Sequence, residues 1–294
     1  MHRPDYRDER HPDNVPIGAL DRLTDTLDKL VKMRRIDPKI ADLYLTEFGY
    51  ESNPPDPDKP WSPAQQALFL NWSEYIAWQN KSVRSWPQFL LRDMGTVSAA
   101  DAARGKREYG DWQSGLLFHD NTEKPSATSF KLALFAECQW NRKRVRTRAR
   151  SSRGRSRTRL RWKWRRGAVR IWGHVRPSVN HATASVSATR RNAGAWSVAA
   201  TSSSRRPKAV RSASAGAFQT NATGVFVRYA KFERNTEYRV ESSAAGAGAA
   251  GLGVTPRNCG RPPKHLVAKS KAKRSKRKSA RSNKRSSSRA GRRR

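Results

Sequence analysis

The sequence predicts two structural classes in one chain: an α/β segment with parallel strands over the first 135 or so residues, then a small all-β sandwich. Three observations predict this. Helical and strand-like patterns alternate as helix, strand, helix, strand, helix between Ala19 and Phe135, which is the signature of α/β architecture. Short alternating runs separated by Gly or Asn follow from Ala168 onward, as in antiparallel sheets. Charge divides the chain between them: of 61 Lys+Arg against 24 Asp+Glu, a formal net charge of +37, the excess lies after Asn141. Beyond that point there is no Asp, and the only Glu residues are Glu233, Glu237 and Glu241.

The elements follow in order. Residues 1–17 are polar and read as loop. From Ala19 to Ile36, Leu20, Leu23, Leu27, Leu30, Val31 and Ile36 recur at three- and four-residue spacing, one stripe of an amphipathic helix that Asp37-Pro38 stops. Leu43 to Thr46 is a short β-prone run closing at Glu47, and the turn-rich Asn53 to Asp58 follows it. Ser62-Pro63-Ala64-Gln65 combines an N-cap serine, proline at the first helical position and a capping-box glutamine. Its helix should reach Asn80 and bury Leu68, Phe69, Trp72 and Ile76 on one side. A second strand spans Ser85 to Leu91 and ends at Arg92-Asp93. Lys124-Pro125 opens a last helix through Phe130, Leu132 and Phe135.

Residues 142–166 hold fourteen Lys/Arg and no acid, which cannot form a core and reads as a basic disordered linker. Val169 to Trp172, Ala184 to Ala188, Trp196 to Ala200 and Val225 to Tyr229 alternate as sandwich strands, with 202–215 as an inserted loop. After Pro262 the tail is almost purely Lys, Arg, Ser and Ala and is expected to be disordered. The expected organisation is therefore 1–138, α/β; 139–166, linker; 167–257, β-sandwich; 258–294, tail.

Several function classes lose support on composition alone. Cys138 and Cys259 have no metal-ligand spacing; they read as two isolated residues, with a single inter-domain bridge as the alternative. The six histidines form no cluster with carboxylates or cysteines, so no metal and no cofactor is expected. No apolar run approaches a membrane span, and no apolar stretch follows Met1 to make a signal peptide.

The run Leu45-Thr46-Glu47-Phe48-Gly49-Tyr50-Glu51-Ser52-Asn53-Pro54-Pro55 resembles a segment of secreted bacterial proteins of the glycoside-hydrolase superfamily. The similarity continues through Ser62 to Ala67, Gln88 to Asp93, Gln113 to Leu116 and Lys124-Pro125, in the same order over roughly a hundred residues. It implies that the α/β segment is the closing part of a (β/α)8 barrel: its last two strands and three helices, the 19–36 helix being the sixth. In retaining enzymes of this kind the glutamate ending the seventh strand is the nucleophile, and Glu47 stands at that position. Independently, barrel sites gather at the carboxyl ends of strands, where Glu47 is placed.

Retaining hydrolysis needs a second carboxyl group about 5 Å away to protonate the departing oxygen. In the family it comes from the fourth strand, and a chain beginning near the sixth helix lacks it. The resemblance thus implies a truncated or degenerate glycoside hydrolase, inactive alone, from a secreted parent family acting on carbohydrate. Trp61, Gln88, Asp93 and Trp112 are candidate substrate contacts, while Glu51, Asp56 and Asp111 lie in loops that can shape a site. Val169 to Pro177 and Thr220 to Phe226 are similar to the accessory sandwich that follows the barrel in the same proteins.

The basic half admits a rival reading, a non-catalytic binder of polyanions, nucleic acid or cell surfaces. Clustered cations displace counterions from such polymers, and Trp162 and Trp164, interleaved with basic residues, can stack on bases. The plainer account is a solvated tail that touches anionic envelope polymers loosely. Arg/Ala/Ser-rich runs also arise when GC-rich DNA is read out of frame, a third account of 142–166 and 202–215.

Overall fold

The computed structural model describes residues 2–150, 156–177, 181–191, 193 and 195–261, with side chains at all of these except 142–150, 156–162 and 207. The architecture is mixed α/β with largely antiparallel sheets and few helices. Helix α1 (Leu20–Lys32) ends a turn earlier than its apolar pattern, because Arg34 adopts a left-handed conformation. Strand β1 (Leu43–Tyr44), helix α2 (Pro63–Gln79) and strand β2 (Val83–Ser85) follow. The two strands pair in parallel, as the alternation predicts, but β1 stops at Tyr44, short of Thr46. Strand β2 lies ahead of the strand expected from Ser85 to Leu91 and shares only Ser85 with it, the residues that follow running out as loop. Ser62 and Gln65 form the reciprocal capping box that the sequence implies.

A short helix α3 (Ala99–Ala103) and helix α4 (Pro125–Lys131) complete the α/β segment. Helix α4 stops before Leu132, whereas the sequence reading carried it through Phe135. The apolar run Leu132-Ala133-Leu134-Phe135-Ala136 is instead the start of strand β3 (Leu132–Arg150), buried on both faces. Such a run has no period that separates a buried strand from a buried helix.

Strand β4 (Ser156–Val175) pairs antiparallel with β3 along its length. The expected linker at 139–166 is thus paired strand backbone over its described residues, and the expected boundary at 138 falls inside β3. Next come β5 (Thr183–Arg190), β6 (Ser197–Val198), β7 (Thr201–Ser202), helix α5 (Pro207–Arg211) within the expected inserted loop, β8 (Phe218–Gln219), β9 (Val225–Ala230) and β10 (Thr236–Glu241). They form two four-stranded sheets, one running β3-β4-β9-β7, the other β10-β5-β6 with β8 also on β5.

Between the sheets lies an apolar core that includes Leu132, Leu134, Val169, Ile171, Val186, Phe226, Tyr238 and Val240. The arrangement is sandwich-like, and it begins at Leu132 rather than 167. Gly173 is required inside β4, because a Cβ there would meet the Phe226 ring at 2.2 Å. The opposite face of β3 and β4 presents Ala133, Phe135 and Trp172 to α2. Helix α2 therefore lies between the sandwich and the loops of the α/β segment. It is buried on most sides rather than on one, with Leu68 and Ile76 only partly covered.

A disulfide joins Cys138 of β3 to Cys259, with Cα atoms 5.0 Å apart, so the two cysteines are not isolated. The strap carrying Cys259 runs beside β3: Cys138 N–H donates to the Arg257 carbonyl and Arg257 N–H to that of Ala136. Residues 258–261 belong to this strap; the rest of the expected tail, from Pro262, lies outside the described residues.

Candidate functional site

The parallel pair β1–β2 sends both chains out at one end, where α/β proteins place ligands. Glu47 leaves β1 there, exposed, and enters no ion pair among the described residues. Beside it, Phe48 packs on Trp86 (ring centroids 5.3 Å) and its carbonyl accepts from Phe89 N–H. Trp112 meets the Phe89 ring edge-on at 5.9 Å and remains 54 % exposed. The backbone bond between Phe48 and Phe89 ties these two aromatic pairs' segments together, and Glu47 and Trp112 are both accessible.

The other candidate contacts are committed within the fold. The Gln88 amide donates to the Phe89 and Ser114 carbonyls. Trp61 packs edge-on against Phe69 of α2. Asp93 is buried, and its Oδ2 lies 2.7 Å from Lys124 Nζ, with both side chains fully enclosed. Lys124 also donates to Ser52 Oγ at 3.0 Å and to the Gln113 carbonyl at 3.2 Å, while Gly115 N–H donates to Asp93 Oδ1 at 2.8 Å. Burial pushes the Asp93 carboxyl up and the Lys124 ammonium down, opposing the attraction between them. Gly115 permits this closeness: a Cβ there would meet Asp93 N at 2.4 Å. Asp93, expected as a substrate contact, lies enclosed in this cluster, which fastens three loops together.

The neighbouring carboxylates are also engaged. Glu51, buried, meets Lys59 Nζ at 2.7 Å, and Asp56 lies 3.7 Å from both Lys59 and Arg107. Gln66 of α2, fully buried, donates to the Tyr50 carbonyl at 2.7 Å and so hangs the Glu47–Tyr50 segment on the helix. Burial drives the Tyr50 hydroxyl up to about 12, so it stays protonated beside Ser73.

A second polar cluster joins α2 to the sandwich. Glu74 accepts from Arg176 at 2.5 Å and lies 2.7 Å from His174 Nδ1. Burial alone would raise its carboxyl; the hydrogen bond with His174 and the charge of Arg176 outweigh burial and hold it below the usual range. Tyr75 donates to Glu137 at 2.7 Å, and Arg170 lies over the Tyr75 and Trp78 rings. Neither cluster is legible in sequence: Lys124 stands in a matched dipeptide, but nothing local pairs it with Asp93, and Glu74 meets partners a hundred residues away.

No group of three or more His, Cys, Asp or Glu among the described residues is arranged to hold a metal, and no described helix is long and apolar enough to cross a membrane. Compared with protein-family models, curated proteins and solved structures, the chain matches none.

Proposed function

We propose that residues 20–131 are the closing units of a retaining glycoside-hydrolase barrel, joined to an accessory sandwich, and that these 294 residues alone bind carbohydrate without cleaving it. The observation that carries this reading is Glu47, exposed just past the carboxyl end of a parallel strand pair whose flanks are apolar and uncovered. Tyr44 and Leu91 are each 69 % exposed, Met33, Ile40 and Met94 of the same segment are exposed too, and the apolar stripe of α1 is half-buried. Further βα units of a barrel would cover such a surface.

Chemistry separates binding from turnover. A retaining site pairs a nucleophile with an acid about 5 Å away, and Glu51, Asp56 and Asp93 are each held by a cation instead. Glu47 can hydrogen-bond sugar hydroxyls, and the face of Trp112 can stack on a pyranose ring. The Cys138–Cys259 bridge fits an oxidising compartment and so the secreted setting of the family it resembles.

The test is an activity and binding assay on the full chain. Nitrophenyl glycosides should show no turnover above background, and retardation in polysaccharide gels should weaken in Trp112→Ala. Turnover abolished by Glu47→Gln would overturn the binding-only reading; retardation unchanged in Trp112→Ala and Glu47→Gln would remove the site.

A further inference from the structure

At one end of the sandwich's second sheet lies an open cleft of about 370 Å³, whose lining residues all fall between Thr183 and Ala250. Strand alternation explains its lining. Val186, Tyr238 and Val240 of β5 and β10 point into the core, so Ser185, Arg239 and Glu241 stand on the outer face, with Ser185 paired to Glu241. The chain over 242–250 then turns back to form a wall. Ala250 bridges Glu241, and Gly248 lines the cleft in a left-handed conformation. Ser242 fastens that wall to the sheet: its Oγ donates to the Thr183 carbonyl at 2.7 Å and accepts from Ala244 N–H at 3.3 Å. The cleft is therefore built before any ligand arrives.

Its polar centre is Arg239 with Glu241. Arg239 Nε and Nη2 each lie 2.8 Å from Glu241 Oε1, and the guanidinium rests 4.4 Å from the centroid of the Trp196 ring, which holds it in place. Both contacts use one carboxylate oxygen, so Nη1 and Oε2 have no hydrogen-bond partner among the described residues. We propose that the cleft binds a saccharide residue, with Arg239 and Glu241 holding two adjacent hydroxyls. A hydroxyl both donates and accepts, so a neighbouring pair answers a donor set beside an acceptor. An anion would meet Glu241 and a cation Arg239; the pair selects a neutral ligand even in a chain of net charge +37. Ser185 and Ser243 add hydroxyls, while Ala249 and Ala250 offer apolar surface to the C–H groups of a ring. The volume fits the lower end of small-molecule sites, about 300–1,000 Å³. No residue of the α/β segment lines the cleft, and the inference does not rest on the Glu47 reading.

An NMR titration of the full chain tests it, with methyl α-mannopyranoside, which carries adjacent cis hydroxyls, and with glycerol and inorganic phosphate for comparison. Run in the Trp112→Ala background, the titration reads this cleft apart from the other proposed contact. The mannoside should bind, and Arg239→Met and Glu241→Gln should each weaken it about tenfold. Ala217→Trp, at an exposed rim position, should abolish binding by filling the mouth while the polar pair stays in place. Glycerol, which has the diol without the ring, should bind about fivefold more weakly. Absence of mannoside binding, or binding indifferent to all three changes, would overturn the proposal. So would glycerol binding as tightly as the mannoside, or phosphate binding more tightly than it and gaining further in Glu241→Gln.

Discussion

In the α/β segment the paired strands are two and three residues long, and the loops around them close over Lys124, Asp93, Glu51 and Asp56. In the sandwich, the 132–138 and 169–175 parts of β3 and β4 close over apolar side chains with β5, β9 and β10, and a disulfide ties the last strap to β3. The first region adds to its aromatic cluster around α2 a set of buried charges that need one another, whereas the second rests on removal of apolar surface from water. The difference teaches where each region is vulnerable. A buried ion pair fails when one partner goes, because the other charge is stranded; an apolar core gives way in proportion to the atoms lost.

The largest effect should come from Lys124→Met, which leaves the buried Asp93 carboxylate without a counter-charge and should cost about 3–5 kcal/mol. Urea unfolding measures the loss, and amide exchange locates it. Protection should fall in residues 48–118 and persist in β5 and β9. Equal loss in both regions would show that the two unfold as one unit and would break the comparison.

Cys138→Ser/Cys259→Ser probes the other region. The bridge closes a separation of 121 residues, and removing it should cost about 2–4 kcal/mol. The loss should appear first as exchange in the 254–259 strap. A larger effect on the α/β loops than on the strap would reverse the assignment.

The smallest effect tests the joint between the regions. The Glu74 carboxyl is held below its ordinary value of 4.5, so its contribution is present above that pH and is lost as pH falls through the lower folded value. Thermal melts below pH 4.5 should therefore decline more steeply in the native chain than in Glu74→Gln. At neutral pH that variant should be less stable by about 1–3 kcal/mol, since a buried charge-assisted hydrogen bond is weakened. Identical pH profiles would show that the Glu74–His174–Arg176 cluster does not couple α2 to the sandwich.

By itself, the sequence determined the elements whose signals are local. The Ser62-Pro63-Ala64-Gln65 start of α2, the α1 stripe, the parallel order of β1 and β2, and the turn-bounded strands β5 and β9 all depend on caps, breakers and periodicity within a dozen residues. The place of Glu47 downstream of a strand was also legible from the run that precedes it, although β1 ends at Tyr44 rather than at Glu47. Only the tertiary structure decided the rest. Leu132 to Ala136 became a strand because apolar surface waits on both sides of it, α2 on one and β5 and β10 on the other. The described residues of the basic stretch, 142–150 and 156–166, joined β3 and β4 because register pairs their backbone, which composition does not record. Lys124 met Asp93, Glu74 met Arg176, and Cys138 met Cys259 across 31, 102 and 121 residues. Long-range pairings of this kind are set by which surfaces pack together, and neither partner carries a mark of the other in its own neighbourhood.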